Sequence, residues 1–458
     1  MRTVIGNMIN VHEPTAALRQ WAHKNLEIAN PEYAKKAQMG FWLGNTPKMV
    51  RLYEIDGLIL RMPYGCLREI RGYIMEGDVE NSFSDPQYVD FGGEVPLYDY
   101  QEEAVNETIR AQYGILQSAA GSGKTQMGLA IASRLHRKTL WLTHTKDLLE
   151  QSRARAGMYF DKKKFGSITE GHVKIGESIT FATVQTMSHC NLHAMRDVWD
   201  CIIVDECHRV AGSPTAVTMF SKVLNNLRAL WKYGLSATVH RADGMIRATY
   251  ALLGSVVWKV PDEAVKERVM PVTVHPRGTG ISLSYECLKP DGMIDYPKMI
   301  NWLTQSNGRN WMILEDLKDN KDHYNLVLSE RVEHLKNLQC GLMERGISSH
   351  MIDGKTPKQL REKVLELMRE GKSHMLLATY ALAKEGLDIP RLDRLYLATP
   401  QKDYAVVVQS VGRVARVFEG KDSAVVYDYV DNAPNLVRSY KKRLGHYRKI
   451  GARIEEEA

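Results

Sequence analysis

One segment constrains the fold of this chain more than any other: residues 118–125, with the sequence Ser-Ala-Ala-Gly-Ser-Gly-Lys-Thr. The short run 114–117 before it predicts a strand, and residues 127–135 after it predict a helix. In such a strand–loop–helix unit, glycines let backbone N–H groups turn toward phosphate oxygens, and the helix N-terminus adds its positive dipole end. The residues predicted to bind a nucleotide in this way are Gly121, Ser122, Gly123, Lys124 and Thr125.

The two polar side chains that end the loop have predicted roles of their own. Lys124 is expected to reach the β- and γ-phosphates of a nucleoside triphosphate, and the Thr125 hydroxyl to hold magnesium. Ser118 stands where the general pattern has glycine, so the strict motif fails at one position. The loop therefore predicts ATP and Mg²⁺ as ligands, and an acidic motif further along the chain is needed to support it.

That acidic motif follows a second predicted strand. Residues 200–204 form a short apolar run typical of a buried parallel strand. Asp205 and Glu206 come at its carboxyl end, where ligands bind in open α/β sheets. We expect Asp205 to coordinate magnesium and Glu206 to polarise the attacking water. The alternative is an acidic turn, which the loop upstream disfavours. His208 would alternatively be an ordinary loop histidine, but its place after the paired acids favours a relay from the ATP site.

Positive charge follows far downstream, in residues 409–416, Gln-Ser-Val-Gly-Arg-Val-Ala-Arg. Arg413 and Arg416 are three residues apart and share one face of a predicted helix. Phosphoryl transfer spreads negative charge over the γ-phosphate, and arginine stabilises it. Alone, this segment would indicate a solvated basic helix edge. Its place after the other two segments favours a catalytic role and predicts a second lobe.

Taken in order, the three segments resemble the motifs of the superfamily 2 helicases, which have two RecA-like lobes. The likeness runs from about residue 97 to about residue 429. Other segments that resemble family motifs are 97–101, 140–145, 180–187, 234–238, 325–329 and 376–390. Tyr98 and Asp99 depart from the pattern, because the family usually has Arg-Pro there.

The resemblance implies roles for further residues. Gln101 would read adenine, and Gly386 and Asp388 would also contact the nucleotide. The residues implied to grip a nucleic-acid backbone, through donors that suit phosphate contacts without sequence readout, are Thr143, Thr183, Ser329 and Thr379. The residues implied to couple the ATP site to strand movement are His208, Ser236, Thr238 and Gln409.

Residues 236–244 are similar to the repair and recombination branch of this superfamily. That branch includes XPB-type ATPases and phage branch-migration helicases of the UvsW type. XPB-type proteins have Arg-Glu-Asp where this chain has Arg241-Ala242-Asp243, so any strand-separating role of the triplet is open. The compact chain favours a phage enzyme over a cellular one.

The resemblance implies an ATP-dependent DNA helicase that moves 3′-to-5′ and acts on forks, D-loops or Holliday junctions. One alternative is a duplex translocase that never separates strands, as in restriction systems. An RNA helicase is another, although its acidic motif would end in Asp where His208 stands. The third is a binding module with a dead ATP site, against which the intact Lys124, Asp205, Glu206 and Arg416 argue.

The predicted fold class is α/β: two tandem RecA-like parallel-sheet lobes, a small α+β N-terminal domain and a C-terminal helix. The predicted divisions are a possible DNA-recognition domain (1–75), a linker (76–95), the ATP-binding lobe (96–260), a connecting region (261–321), the second lobe (322–432) and a basic helix (433–458).

Three features outside the motifs carry expectations of their own. In the N-terminal domain, phosphate contact and a solvated basic face are equally favoured for Arg51, Arg61, Arg68 and Arg71. Core packing is favoured over base stacking for Trp302 and Trp311. In the C-terminal helix, the basic residues, Arg443 among them, are expected to face solvent or DNA.

Composition fits this interpretation. Hydrophobic residues make up 44% of the 458, which is ample for globular cores. The 61 Lys and Arg exceed the 54 Asp and Glu by seven, which permits a polyanion partner. The six cysteines include no Cys-x-x-Cys pair, so neither a zinc site nor a disulfide framework is indicated. With no apolar run of membrane length and no secretory signal, we expect a cytoplasmic location, in the host if a phage encodes the chain.

Overall fold

The computed structural model describes residues 1–75, 77–119, 121–239, 244–261, 263–264, 270–401 and 403–455. Contacts divide the chain into two compact units, residues 1–119 with 123–261 and residues 120–122 with 262–458. The triplet 241–243 lies outside the described residues.

The first unit contains strands β1–β15 and helices α1–α9. The strands span Arg2–Ile5, Met8–His12, Glu27–Ala29, Met49–Arg51, Glu54–Asp56, Ile59–Pro63, Asp78–Asn81, Tyr113–Gln117, Thr139–Thr143, Phe165–Thr169, His172–Lys174, Ile179–Thr183, Cys201–Asp205, Trp231–Ser236 and Val256–Lys259. The helices span Ala16–Leu26, Pro31–Gln38, Leu67–Ile74, Asp99–Arg110, Lys124–Leu135, Lys146–Ala156, Val184–His189, Pro214–Leu224 and Ile246–Leu253.

The second unit continues with β16–β22 and α10–α16. The strands span Val272–Ser282, Asn325–Ser329, His350–Ile352, Met375–Thr379, Arg394–Leu397, Ala424–Asn432 and Arg453–Ile454. The helices span Tyr296–Gln305, Asn307–Asp319, Val332–Glu344, Lys358–Arg369, Tyr380–Gly386, Tyr404–Val414 and Pro434–Lys449.

The main sheet of the first unit has eight strands in the order β11-β10-β12-β9-β13-β14-β8-β15. Every pairing is parallel except that of β10 with β11. The strands β9, β12 and β13 are buried along their whole length, because helices cover both faces of a parallel sheet. The carboxyl ends of β8, β13 and β14 therefore lie at one edge of the sheet.

The second unit is built on a seven-stranded parallel sheet in the order β18-β19-β17-β20-β21-β16-β22. Side chains of β17 alternate between two cores, with Leu326 and Leu328 on one face and Val327 on the other. Two RecA-like parallel sheets, a small α+β domain before them and a helix after them confirm the predicted fold class.

The N-terminal domain is a five-stranded sheet in the order β5-β6-β2-β1-β7, and it shares a core with the first lobe. Ile9 and Leu60 of the small sheet belong to the same buried cluster as Ala248 and Ala251 of α9. A Cβ on Gly65 would lie 2.6 Å from the Ala251 carbonyl oxygen, so glycine permits this close packing. The domain is thus an integral part of the first unit.

The basic residues singled out in the sequence are mostly engaged within the chain. Arg51 pairs with Glu27 at 2.9 Å, and Arg61 with Asp56 at 2.7 Å. Arg68 donates to the Tyr113 carbonyl at 2.9 Å, and Arg71 contacts the Met75 sulfur.

Three further expectations concern the tryptophans, Arg443 and the membrane. Core packing is wrong for Trp311, which is 60% exposed, and Trp302 is 38% exposed. Arg443 does not face solvent: it is buried and forms a two-point ion pair with Asp428 at 2.7 Å. In the part of the chain that the structure describes, no helix is long and apolar enough to cross a membrane.

Candidate active site

The segment 118–123, which we call the phosphate loop after its predicted ligand, joins β8 to α5. Both of its glycines adopt left-handed backbone conformations. Gly121 has φ +85° and Gly123 has φ +80°, a region that side chains with a Cβ rarely adopt. Gly123 is also the N-cap of α5, so Lys124 begins the helix. A Cβ on Gly123 would lie 2.5 Å from Nε2 of Gln101. Glycine is therefore required at position 123 both by its backbone and by its neighbour.

Gln101, the predicted adenine reader, lies buried beside this loop near the start of α4. Its Oε1 accepts from the Tyr98 amide at 3.0 Å, and its Nε2 lies 3.3 Å from the Tyr100 hydroxyl. The same glutamine thus caps its own helix and contacts the loop that is predicted to hold phosphates.

Lys124 folds back on the loop, where its Nζ donates to the Ala119 carbonyl at 3.3 Å. Thr125 follows in the first turn of α5 and is partly buried. A helix N-terminus with a lysine and a hydroxyl beside it offers both positive charge and a metal ligand to a bound triphosphate.

Asp205 ends β13 and is only 5% exposed. Its Oδ2 lies 3.3 Å from the Ser152 hydroxyl, which also reaches the Leu148 carbonyl at 2.9 Å, and its Oδ1 accepts from the Glu206 amide at 2.9 Å. Burial and the neighbouring Glu206 carboxylate raise the pKa of Asp205 to about 7, and the Lys124 charge opposes this. A divalent cation at this carboxylate would favour its charged form.

Glu206 has φ +48°, an uncommon conformation for a residue with a side chain. Strained backbone of this kind persists only where the surrounding structure holds it in place, and it is concentrated at functional sites. Its Oε2 lies 3.2 Å from Nδ1 of His208, which contacts the Ser236 hydroxyl at 3.1 Å. The turn therefore brings the predicted catalytic acid against the predicted coupling residues.

The Ser236 hydroxyl fixes the proton on His208. That hydroxyl donates to the Thr238 carbonyl at 2.7 Å and accepts from the Thr238 amide at 3.2 Å. Since its single hydrogen is already donated, the contact with His208 requires an Nδ1–H donor. The Ser236 carbonyl also accepts from the Ser118 amide at 3.0 Å. The end of β14 thus connects the acidic turn to the phosphate loop.

The fit of Mg²⁺ follows from this donor set. Among the described residues, no group of three or more His, Cys, Asp or Glu side chains is arranged to hold a metal. Mg²⁺ in nucleotide sites keeps several waters and binds one or two protein oxygens plus substrate phosphates. Asp205 and Thr125 would supply those protein oxygens, and the metal would neutralise charge on the phosphates.

Predicted nucleic-acid residues end neighbouring strands in both sheets. Thr143 of β9 is the register partner of Thr183 of β12, and Ser329 of β17 that of Thr379 of β19. The Thr143 hydroxyl donates to the Thr145 carbonyl at 2.9 Å, and that of Thr183 to Thr186 at 3.0 Å. Contact of these hydroxyls with a nucleic acid stays a prediction.

The second unit brings together two of its predicted segments. Arg413 donates to the Leu387 carbonyl at 3.2 Å, and Arg416 forms an ion pair with Asp388. Gly386 ends the helix α14. Gln409 lies on α15, and its Oε1 is buried without a hydrogen-bond partner among the described residues. These predicted residues converge within the second unit.

Sequence reasoning missed Ser152 and Ala119. Ser152 supports the Asp205 carboxylate from α6, and the Ala119 carbonyl holds the Lys124 amine. Ala119 lies within the segment 118–125 but had no predicted role, and Ser152 lies outside every motif. The signal for Ser152 is a small polar residue that is buried in a helix beside the acidic strand.

Comparison with known protein families finds two matches, one in each unit of the chain. Residues 94–241 match the family of the type III restriction enzyme res subunit, and residues 309–418 match the helicase conserved C-terminal domain. The chain is 27% identical over 344 residues to the probable helicase D10 of Escherichia phage T5, covering 74% of this chain and 72% of the relative. The chain belongs to the superfamily 2 helicases.

Two further comparisons extend this assignment. The chain is 23% identical to the DNA 3′-5′ translocase XPB2 of Sulfurisphaera tokodaii, over 78% of this chain and 86% of the relative, which fits the predicted XPB/UvsW-like branch. The solved structure of S. cerevisiae Dbp5 bound to RNA and ADP BeF3 aligns over 86% of this chain and 94% of Dbp5, with a TM-score of 0.55 and 15% identity. That protein and this chain share the same fold.

Proposed function

We propose that this helicase is an ATP-dependent DNA motor that translocates 3′-to-5′ and unwinds or branch-migrates forked, D-loop or four-way DNA. The observation that carries the proposal is the link from Glu206 through His208 to Ser236 and the phosphate loop. It joins the residues suited to hydrolysis to the end of a central strand. Nucleotide state can then alter the segment that follows that strand.

In this mechanism, the loop amides and Lys124 bind the triphosphate, and Asp205 and Thr125 hold Mg²⁺. Glu206 orients the attacking water and accepts its proton. Arg413 and Arg416 supply positive charge that stabilises the γ-phosphate during transfer. The chain's preference for DNA and its polarity draw support from the relative named a DNA 3′-5′ translocase.

Two other functions each have an observation in their favour. A duplex translocase without strand separation fits the match to the restriction-enzyme family and the relative named a translocase. RNA unwinding has in its favour a relative named a putative ATP-dependent RNA helicase, which is 27% identical over 344 residues. Against RNA unwinding, His208, which contacts the Ser236 hydroxyl, stands where the acidic motif of an RNA helicase would end in Asp.

A substrate panel distinguishes the three. ATP turnover and strand displacement would be measured with single-stranded DNA, sealed duplex, fork, four-way junction and RNA fork. The proposal predicts turnover and displacement on forks and junctions with a 3′ loading strand. Turnover on sealed duplex without displacement would establish the translocase instead, and displacement confined to RNA would overturn the DNA assignment.

A further inference from the structure

A segment of the N-terminal domain projects from its core. Residues 31–48, which we call the arm, contain α2 and the loop after it, and none of them is buried. The arm begins and ends at the antiparallel pair β3–β4, where the Asn30 amide donates to the Lys48 carbonyl at 3.0 Å. Ile28 and Leu52 anchor this base in the domain's core.

The arm is internally ordered although it lacks a core of its own. Asn30 caps α2 by accepting from the Glu32 amide at 2.9 Å, and its Nδ2 donates to the Pro47 carbonyl at 2.8 Å. Lys36 Nζ donates to the Thr46 hydroxyl at 2.8 Å, which ties the helix to the loop that follows it. These bonds hold the loop at the tip in a defined conformation.

Two large aromatic residues occupy the tip. Trp42 is 89% exposed and Phe41 is 62% exposed, with Met39 beside them at 55%. Exposing such rings forgoes the stabilisation that burying a large apolar side chain gives. Folding of the domain therefore does not account for aromatic residues at this place.

The Trp42 ring has a supported face. A Cβ on Gly44 would lie 2.8–3.2 Å from atoms of that ring, so the glycine backbone packs against it. Gly44 has φ +49°, which lets the chain turn back beneath the indole. One ring face thus rests on backbone while most of the side chain stays open to a flat partner.

The charge and size of the arm favour a nucleic acid over a protein. Residues 31–48 carry three lysines, Lys35, Lys36 and Lys48, against one acid, Glu32. A stable protein interface needs roughly 20–30 residues a side, far more than this tip offers. One or two stacked bases with nearby phosphates need only an aromatic ring and a few cations.

We propose that Trp42 and Phe41 stack on unpaired nucleobases at the point where a duplex opens, while Lys35 and Lys48 contact the adjacent phosphates. This inference rests on the proposed function, because it assigns the arm to the motor's own substrate. Stacking tolerates any base sequence, as a motor requires.

The test compares binding of the wild type, the double variant Phe41→Ala/Trp42→Ala and Trp42→Phe by fluorescence anisotropy. The probes are a labelled DNA fork with unpaired arms, an RNA fork of the same sequence and a DNA duplex sealed at both ends. The double variant should bind forks at least about tenfold more weakly, since stacking contributes roughly that much per base. Binding to the sealed duplex should change less than twofold, and Trp42→Phe should recover most of the loss.

Controls keep the outcomes distinct. Tyr285→Ala removes another exposed aromatic side chain, which is 82% exposed in the second unit, and should bind forks like the wild type. Unchanged fork affinity in the double variant, or an equal loss on the sealed duplex, would overturn the inference. If the double variant kept its fork affinity but changed its self-association in sedimentation, the tip would instead contact another copy of the chain, which would also overturn the inference. DNA-stimulated ATP turnover by the wild type tests the proposed function separately, because it does not depend on the tip.

Discussion

Position 123 shows how one residue serves both backbone and neighbour. Its φ of +80° and the 2.5 Å approach of a Cβ to Gln101 leave room for glycine alone. The sequence motif requires glycine for the turn, but the contact with Gln101 is visible only in the fold. The segment predicted to read adenine thus packs directly against the loop predicted to hold phosphates.

Gly123→Ala should abolish nucleotide binding while lowering stability by about 1–2 kcal/mol, the usual cost of a left-handed residue with a Cβ. The matched control is Gly72→Ala, because Gly72 lies exposed in α3 with nothing within 4 Å of an added Cβ. Binding of a fluorescent ATP analogue and thermal unfolding would be measured for both. Wild-type nucleotide affinity in Gly123→Ala would contradict this geometry.

His334 sets a pH dependence in the second unit. It is buried, its Nδ1 faces the Ser329 hydroxyl at 3.0 Å and its Nε2 the Asn310 Oδ1 at 2.9 Å. The Asn310 amide group donates to the Thr304 carbonyl, so Oδ1 is left to accept from Nε2–H. Burial, with a smaller effect of Arg309, lowers the pKa of His334 to about 3. The imidazole is therefore neutral in the folded chain.

Because the unfolded histidine has a pKa near 6.5, its contribution to stability is present above pH 6.5 and is lost as pH falls toward 3. Between pH 6.5 and 5.0 the loss should be about 2 kcal/mol, at roughly 1.4 kcal/mol per pH unit. Urea unfolding of the wild type and of His334→Gln at both pH values measures it. An identical pH dependence in the two proteins would show that His334 is not the cause.

Among whole elements, the C-terminal helix α16 depends on one buried ion pair. Arg443 reaches both oxygens of Asp428 on β21, and the Tyr447 hydroxyl donates to the same carboxylate at 2.7 Å. Arg443 also donates to the Gln401 carbonyl at 3.0 Å. The helix is therefore attached to the sheet by a charge that water does not screen.

Arg443→Met should destabilise the second unit by about 3–5 kcal/mol, because it leaves Asp428 buried without its partner. Arg438→Met on the same helix removes an exposed arginine and should change stability by less than about 0.5 kcal/mol. Urea unfolding followed by circular dichroism compares them. Equal effects of the two substitutions would refute the role of the buried pair.

At the scale of the whole molecule, the sequence predicts those features of the fold that depend on hydrophobic periodicity and on the order of the motifs. The two parallel sheets follow from short apolar runs such as 201–204 and 326–328, and the motifs fall at the carboxyl ends of those strands. Burial of Arg443, exposure of Trp311 and the support of Asp205 by Ser152 depend on contacts between distant segments. No local pattern encodes such contacts, so they appear only once the chain is folded.

The most direct test of the account is nucleic-acid-stimulated ATP turnover by the wild type and by Glu206→Gln. Fork DNA should stimulate the wild type, and the variant should bind ATP normally but hydrolyse it at least about a hundredfold more slowly, the usual loss when a general base is removed. Lys124→Ala, in contrast, should lose both ATP hydrolysis and nucleotide binding. Turnover by Glu206→Gln at the wild-type rate would contradict the assignment of the active site and, with it, the proposed motor.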